Sequence, residues 1–193
     1  MTIDRSWLHD ASFNLLYASL AIATFVILER AIYYAWLSFS RRRVASAIRS
    51  GGIEAAAAIG SSDPISRCVR EYIAEQKSGT LSRESVEDHS AAFFLEVDGR
   101  IQARLWILDT IVTAAPLLGL LGTILGIMDT FEALSSGGIS DPAAVSRGIA
   151  TALLATAIGI GTALYGLLGH NMLHRVADDL TEAFKSFMLR TTL

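Results

Sequence analysis

The chain has 193 residues, 52% apolar and 18% charged, with a formal net charge of −3 and a mean hydropathy of +0.44. Soluble domains carry about 25% charged residues, and disordered segments are far less apolar, so both classes are excluded. There is no basic excess to hold a nucleic-acid backbone, and the lone Cys68 excludes an internal disulfide or a cysteine-based metal cluster.

A short tail, residues 1–12, precedes the first apolar stretch. Phe13–Leu28 holds no charge. A hydrocarbon core needs about 20 helical residues, a length reached by continuing through Glu29 and Arg30 to about residue 37. At ~1.5 Å per residue, Glu29 lies roughly 24 Å along the helix from Phe13, close to the far interface. Tyr33, Tyr34 and Trp36 follow as an interfacial aromatic belt. Ala21-Ile22-Ala23 could serve as a signal-peptide cleavage site. Cleavage there would strand Phe25-Val26-Ile27-Leu28 at a new terminus, so the segment is read as a retained transmembrane helix over 13–37, with Glu29 and Arg30 packed.

Residues 38–105 form a polar, helical loop. Asp63-Pro64 is a cap and a first-turn proline opening a helix to about Gln76. Gly51-Gly52 and Lys77-Ser78-Gly79-Thr80 are breaks. From Ser82 to Leu134 only Gly99 and Pro116 could interrupt, which predicts one helix of ~80 Å. Its second half contains the 19 residues Thr110–Met128 without charge, giving a transmembrane helix at 106–131. A Gly-Gly turn occupies 132–145. Gly148–Leu173, 26 residues without Asp, Glu, Lys or Arg, gives the third span at 146–170. In the tail, 171–193, Leu173, Val176, Ala177, Leu180, Phe184, Phe187 and Met188 keep helical spacing. The fold class is therefore an all-α integral membrane protein, with three transmembrane helices and long cytoplasmic helical extensions.

Lys and Arg set the orientation. The segment 38–104 has ten, beginning with Arg41-Arg42-Arg43, against one in the leading tail and none from Glu132 to Ala144; three follow Leu173. The amino terminus and the Gly-Gly turn are expected outside, the loop and carboxyl tail in the cytoplasm.

The spans carry small residues at helical spacing. Gly119, Gly122, Thr123 and Gly126 share one face of the second. Gly148, Ala152, Ala155, Gly159, Thr162, Gly166 and Gly169 form a stripe along the third. Apolar contact gives helices in lipid no net drive to associate; small residues let backbones approach until dispersion acts. Thr123, Thr151, Thr156 and Thr162 read either as a weakly polar lining or as hydroxyls bonded to carbonyls one turn back. Pro116 frees the Val112 carbonyl, which a hydroxyl or water could occupy. Neither span holds Asp, Glu, Lys, Arg or His in its interior, and a proton relay needs an ionisable group at depth. A partner would have to supply it. His170, His174 and Asp178 share a face with spacing that permits zinc, but read as a polar cap where the helix leaves the membrane; no metal or cofactor is expected. Cys68 reads as a buried or indifferent cytoplasmic thiol. With no nucleophile–base pair and no phosphate loop, the chain is not expected to be an enzyme.

Ala115-Pro116-Leu117-Leu118-Gly119-Leu120-Leu121-Gly122-Thr123-Ile124-Leu125-Gly126-Ile127-Met128 resembles the second-span signature of the ExbB/TolQ/MotA proton-channel family. Gly148-Ile149-Ala150-Thr151-Ala152-Leu153-Leu154-Ala155-Thr156-Ala157-Ile158-Gly159 resembles its third-span signature. Asn171 and Glu29-Arg30 are similar too, and the three-span topology resembles the ExbB/TolQ branch. The resemblance implies an inner-membrane motor subunit, its copies forming a ring, typically a pentamer, around single-helix ExbD/TolR-like partners that carry a membrane aspartate. Proton flow would drive rotation and energise transport or force transfer in the envelope, with Thr123 and Thr156 matching the pore-facing threonines. Thr151 stands where many ExbB and TolQ members have glutamate, an acid MotA-type members also lack; the coupling ion, H⁺ or Na⁺, stays open. The alternative is a non-conducting membrane scaffold with the same fold.

Overall fold

The computed structural model describes the backbone of residues 5–57, 83–137 and 142–192, and side chains within 10–39, 91–135 and 142–185 other than Phe93 and Phe184. Four helices follow in order: α1 (Arg5–Ala57), α2 (Arg83–Gln102), α3 (Leu105–Gly137) and α4 (Pro142–Thr192). No strand occurs among the described residues. Three helical stretches are long and apolar enough to cross a membrane: Asp10–Phe39, Phe94–Ser135 and Pro142–Ala183. They contain the runs at 13–37, 106–131 and 146–170. The fold is all-α and that of a multi-pass membrane protein.

Two expected helix limits fall elsewhere. The helix expected to run unbroken from Ser82 to Leu134 is interrupted at Ala103-Arg104, where Arg104 has φ 68°. Gly51-Gly52, expected to break the chain, lies inside α1. Each glycine costs only about 1 kcal/mol in a helix, and the good helix formers Glu54-Ala55-Ala56-Ala57 follow directly. The helix expected after Asp63-Pro64, the break at 77–80 and Cys68 lie outside the described residues.

The chain divides into two compact units. The first comprises residues 1–28 and 104–172. Ser12, Leu16, Ala23 and Val26 of α1, Leu105, Leu108, Ile111 and Ala115 of α3, and Ala152, Ala155, Thr162 and Ala163 of α4 are buried in it. On each helix these positions recur every three, four or seven residues, the period of one helical face.

The second unit comprises residues 29–103 and 173–193. Its buried positions are Arg30, Tyr34 and Leu37 of α1, Val97 and Ile101 of α2, and Leu173, Ala177 and Leu180 of α4. Thr181 donates a 3.0 Å hydrogen bond to Asp98 Oδ1, tying α4 to α2. The Arg30 Nε is 3.2 Å from Glu29 Oε2. Tyr34 does not belong to an interfacial belt. It is 2% exposed, and its hydroxyl donates to the Ile101 carbonyl at 2.7 Å, whereas Trp36 on the same helix is 45% exposed. Tyr34 and Trp36 are two residues apart, about 160° on a helical wheel, so the two rings leave opposite sides of α1.

Candidate functional site

Within the first unit, α3 and α4 meet backbone to backbone. A Cβ placed on Gly119 would lie 2.8 Å from the Ala155 carbonyl oxygen and 3.2 Å from Gly159 Cα. One placed on Gly159 would lie 2.5 Å from the Ala115 carbonyl oxygen and 3.0 Å from Gly119 Cα. Real side chains cannot be accommodated there, because the obstructing atoms are main chain. Gly122 faces Ala155, whose Cβ would be 2.9 Å away, with Ser12 of α1 also adjacent. Farther along the two helices, Gly148 lies against the Thr130 hydroxyl and Gly166 against Val112. Gly126 is buried as well. Gly161, off the stripe, has open space around it.

The close approach places two hydroxyls in contact. Thr123 of α3 and Thr156 of α4 hydrogen-bond to each other through their Oγ1 atoms. Thr123 Oγ1 lies 2.9 Å from the Ala152 carbonyl across the seam and 3.1 Å from the Gly119 carbonyl of its own helix. Thr156 Oγ1 lies 3.2 Å from the Gly119 carbonyl. Two hydroxyl protons thus serve four contacts, and the bond between the threonines can run in two directions. In one, Thr156 donates to Thr123, which donates to the Ala152 or the Gly119 carbonyl. In the other, Thr123 donates to Thr156, which donates to Gly119. Both threonines are half-buried.

The other two threonines singled out from the sequence do not join this pair. Thr151 is exposed and bonds the Arg147 carbonyl of its own helix at 2.9 Å. Thr162 is buried, 2% exposed, on the same stripe as Gly159 and Gly166. Near Pro116, Thr113 donates to the Asp109 and Thr110 carbonyls, and Thr110 to that of Trp106. Sequence reasoning missed Thr130, which bonds the Gly126 carbonyl at 2.7 Å and stands two turns from Thr123 on one face of α3. It also missed Ser12, 3% exposed, whose place on the face of Leu16 and Ala23 was readable from spacing alone.

The site has hydroxyls and carbonyls but no group that titrates in the physiological range. Thr110–Met128 and Gly148–Gly169 contain no Asp, Glu, Lys, Arg or His. Hydroxyls there can orient water or bond a protonated acid; they cannot store a proton. Among the described residues no three His, Cys, Asp or Glu side chains gather as metal ligands, and His174 instead lies 3.9 Å from Asp178.

A small-residue seam with a hydroxyl pair and no acid of its own, inside three helices able to span a membrane, defines a polytopic membrane protein. The chain belongs to the MotA/TolQ/ExbB proton channel family, whose pattern matches residues 61–186. An ExbB homolog for biopolymer transport from Methanothermobacter thermautotrophicus is 38% identical over 117 residues, 60% of this chain and 40% of that protein. The Helicobacter pylori biopolymer transport protein ExbB is 42% identical over 81 residues, covering 42% of this chain and 56% of that one. The Tol-Pal system protein TolQ of Haemophilus influenzae is 34% identical over 88 residues, 46% of this chain and 39% of that protein. The matched region thus spans about half, or less, of each relative's length.

Proposed function

We propose that the chain is a subunit of a proton-driven motor in the bacterial inner membrane, using the proton motive force to energise transport or force transfer in the cell envelope. Copies would form a ring, with five the expected number, around a single-helix ExbD/TolR-like partner that supplies a membrane aspartate. The chain itself performs no enzymatic chemistry in this reading. The observation that carries it is the Thr123–Thr156 pair, set in a membrane seam that lacks any acid of its own. A carboxylic acid passing this point would find hydroxyls able to turn their donors toward it or away.

The test is proton entry into proteoliposomes under an imposed potential, followed with a pH-sensitive dye, with and without the partner. Conduction should require the partner. Robust conduction by the purified chain alone would overturn the reading that the partner's acid is the carrier.

One observation favours the alternative, a non-conducting scaffold: both hydroxyls already have carbonyl partners within the chain. In that case the partner-containing complex would leave the dye silent while the ring remained intact.

Orientation follows from charge. The amino terminus and the turn near Ser136 are placed in the periplasm, Arg41-Arg42-Arg43 and the carboxyl terminus in the cytoplasm. Ser136→Cys should react with an impermeant maleimide in cells with a permeable outer membrane. Labelling at Ser78→Cys instead would reverse the assignment.

A further inference from the structure

No glycine or proline accounts for the interruption between α2 and α3. Ala103 and Arg104 are good helix formers, and neither glycine nor proline lies within three residues on the α3 side. Yet Arg104 takes φ 68°, a left-handed conformation that a residue with a Cβ enters only at a cost.

If the helix ran on, the Arg104 amide would donate to the Arg100 carbonyl and the Leu105 amide to the Ile101 carbonyl. Those two oxygens are engaged by α1. Arg30 Nη1 donates to the Arg100 carbonyl at 3.4 Å, and the Tyr34 hydroxyl donates to the Ile101 carbonyl at 2.7 Å. Both side chains are held in place by burial, Arg30 being 5% exposed and Tyr34 2%. The Arg30 guanidinium lies 5.2 Å from the Tyr33 ring centroid and beside Glu29. A cation at a helix carboxyl end also meets the negative pole of the helix dipole. Beyond the interruption the chain restarts tightly, the Ile107 amide donating to the Arg104 carbonyl at 3.1 Å.

We propose that Arg30 and Tyr34 form a pin that competes with the backbone for the last carbonyls of α2. The segment 83–137 then has two states: interrupted at Ala103-Arg104 while the pin is engaged, and continuously helical when it is withdrawn. The pin is a conformational device, independent of whether the protein conducts ions.

The test is amide hydrogen exchange at Leu105 and Trp106 in the full chain reconstituted in nanodiscs. Both amides open α3 in the interrupted state and are hydrogen-bonded in the continuous one. Tyr34→Phe removes the donor and keeps the ring, so the equilibrium should shift about two- to tenfold toward the continuous helix, the worth of one net hydrogen bond, and exchange at these two amides should slow by up to that factor. Adding Arg104→Gly, which takes the left-handed turn without strain and weakens a continuous helix, should return exchange to the wild-type rate or above. Unchanged or faster exchange in Tyr34→Phe, or failure of the glycine to reverse the slowing, overturns the proposal. If Tyr34→Phe does not fold, Arg104→Gly alone decides: faster exchange supports the two states, and unchanged or slower exchange overturns them.

Discussion

The two units solve helix packing with opposite materials. In the unit of residues 1–28 and 104–172, α3 and α4 touch through Gly119, Gly122, Ala155 and Gly159, and main-chain atoms make the contact. In the unit of residues 29–103 and 173–193, Leu37, Val97, Ile101 and Leu180 fill the space and Tyr34 reaches across it. Where helices are surrounded by lipid, a leucine gains nothing by turning inward, so adhesion must come from close approach. Where water is the alternative, as proposed for the loop and the tail, each buried leucine contributes about 1.5–3 kcal/mol and large side chains are the better filler. The same chain therefore uses absence of side chain in one place and bulk in the other.

The largest effect separating the two should come from bulk added to the seam. Gly159→Leu would drive a side chain into the Ala115 carbonyl and Gly119, and should abolish the α3–α4 contact and with it the proposed ring. Gly161→Leu, two residues away in open space, should leave both intact. Native mass spectrometry of the two variants checks this. A ring that survives Gly159→Leu would mean that the seam is not what holds it.

Bulk removed from the other unit should cost less but remain obvious. Leu180 is 2% exposed, and Leu180→Ala should lower stability by about 2–5 kcal/mol. Thermal unfolding in detergent should show the loss, and the seam should be unaffected. A Leu180→Ala protein as stable as wild type would erase the contrast.

Smaller still is the hydroxyl effect. Thr123→Val keeps the shape and removes the donor. Assembly should survive while proton flux through the partnered complex falls by up to about tenfold, the worth of one hydrogen bond formed at the barrier. Unchanged flux would make Thr123 a packing residue, with the seam purely structural. Smallest is Thr151→Val: this exposed hydroxyl bonds the Arg147 carbonyl of its own helix, and flux should stay within about twofold of wild type.

How far the sequence reveals this structure follows from the same contrast. The seam was legible because close approach in lipid demands glycine or alanine at spacings of three and four, and few other constraints produce that stripe. The threonines were legible only in part. Thr151 and Thr156 are five residues apart, about 140° on a helical wheel, so spacing alone should have separated them. The interruption at Ala103-Arg104 was not legible. Its residues favour helix, and its cause lies some 70 positions earlier, in Arg30 and Tyr34. Tyr34 looks like an interfacial aromatic because tyrosine near a span end usually is one. Gly51-Gly52 misled in the opposite sense: intrinsic propensity is weak enough for a strong helical neighbourhood to override it.

The two arrangements of the Thr123–Thr156 pair carry no difference in net charge. To the membrane voltage the pair is therefore a reorientable dipole and not a gating charge. Field strength alone moves little energy across so short a dipole, while one nearby proton moves a great deal. The polarity of the pair should report the protonation state of whatever acid stands beside it, and only weakly the potential. Difference infrared spectra of the threonine O–H stretch should accordingly follow pH in the partnered complex far more than they follow applied voltage.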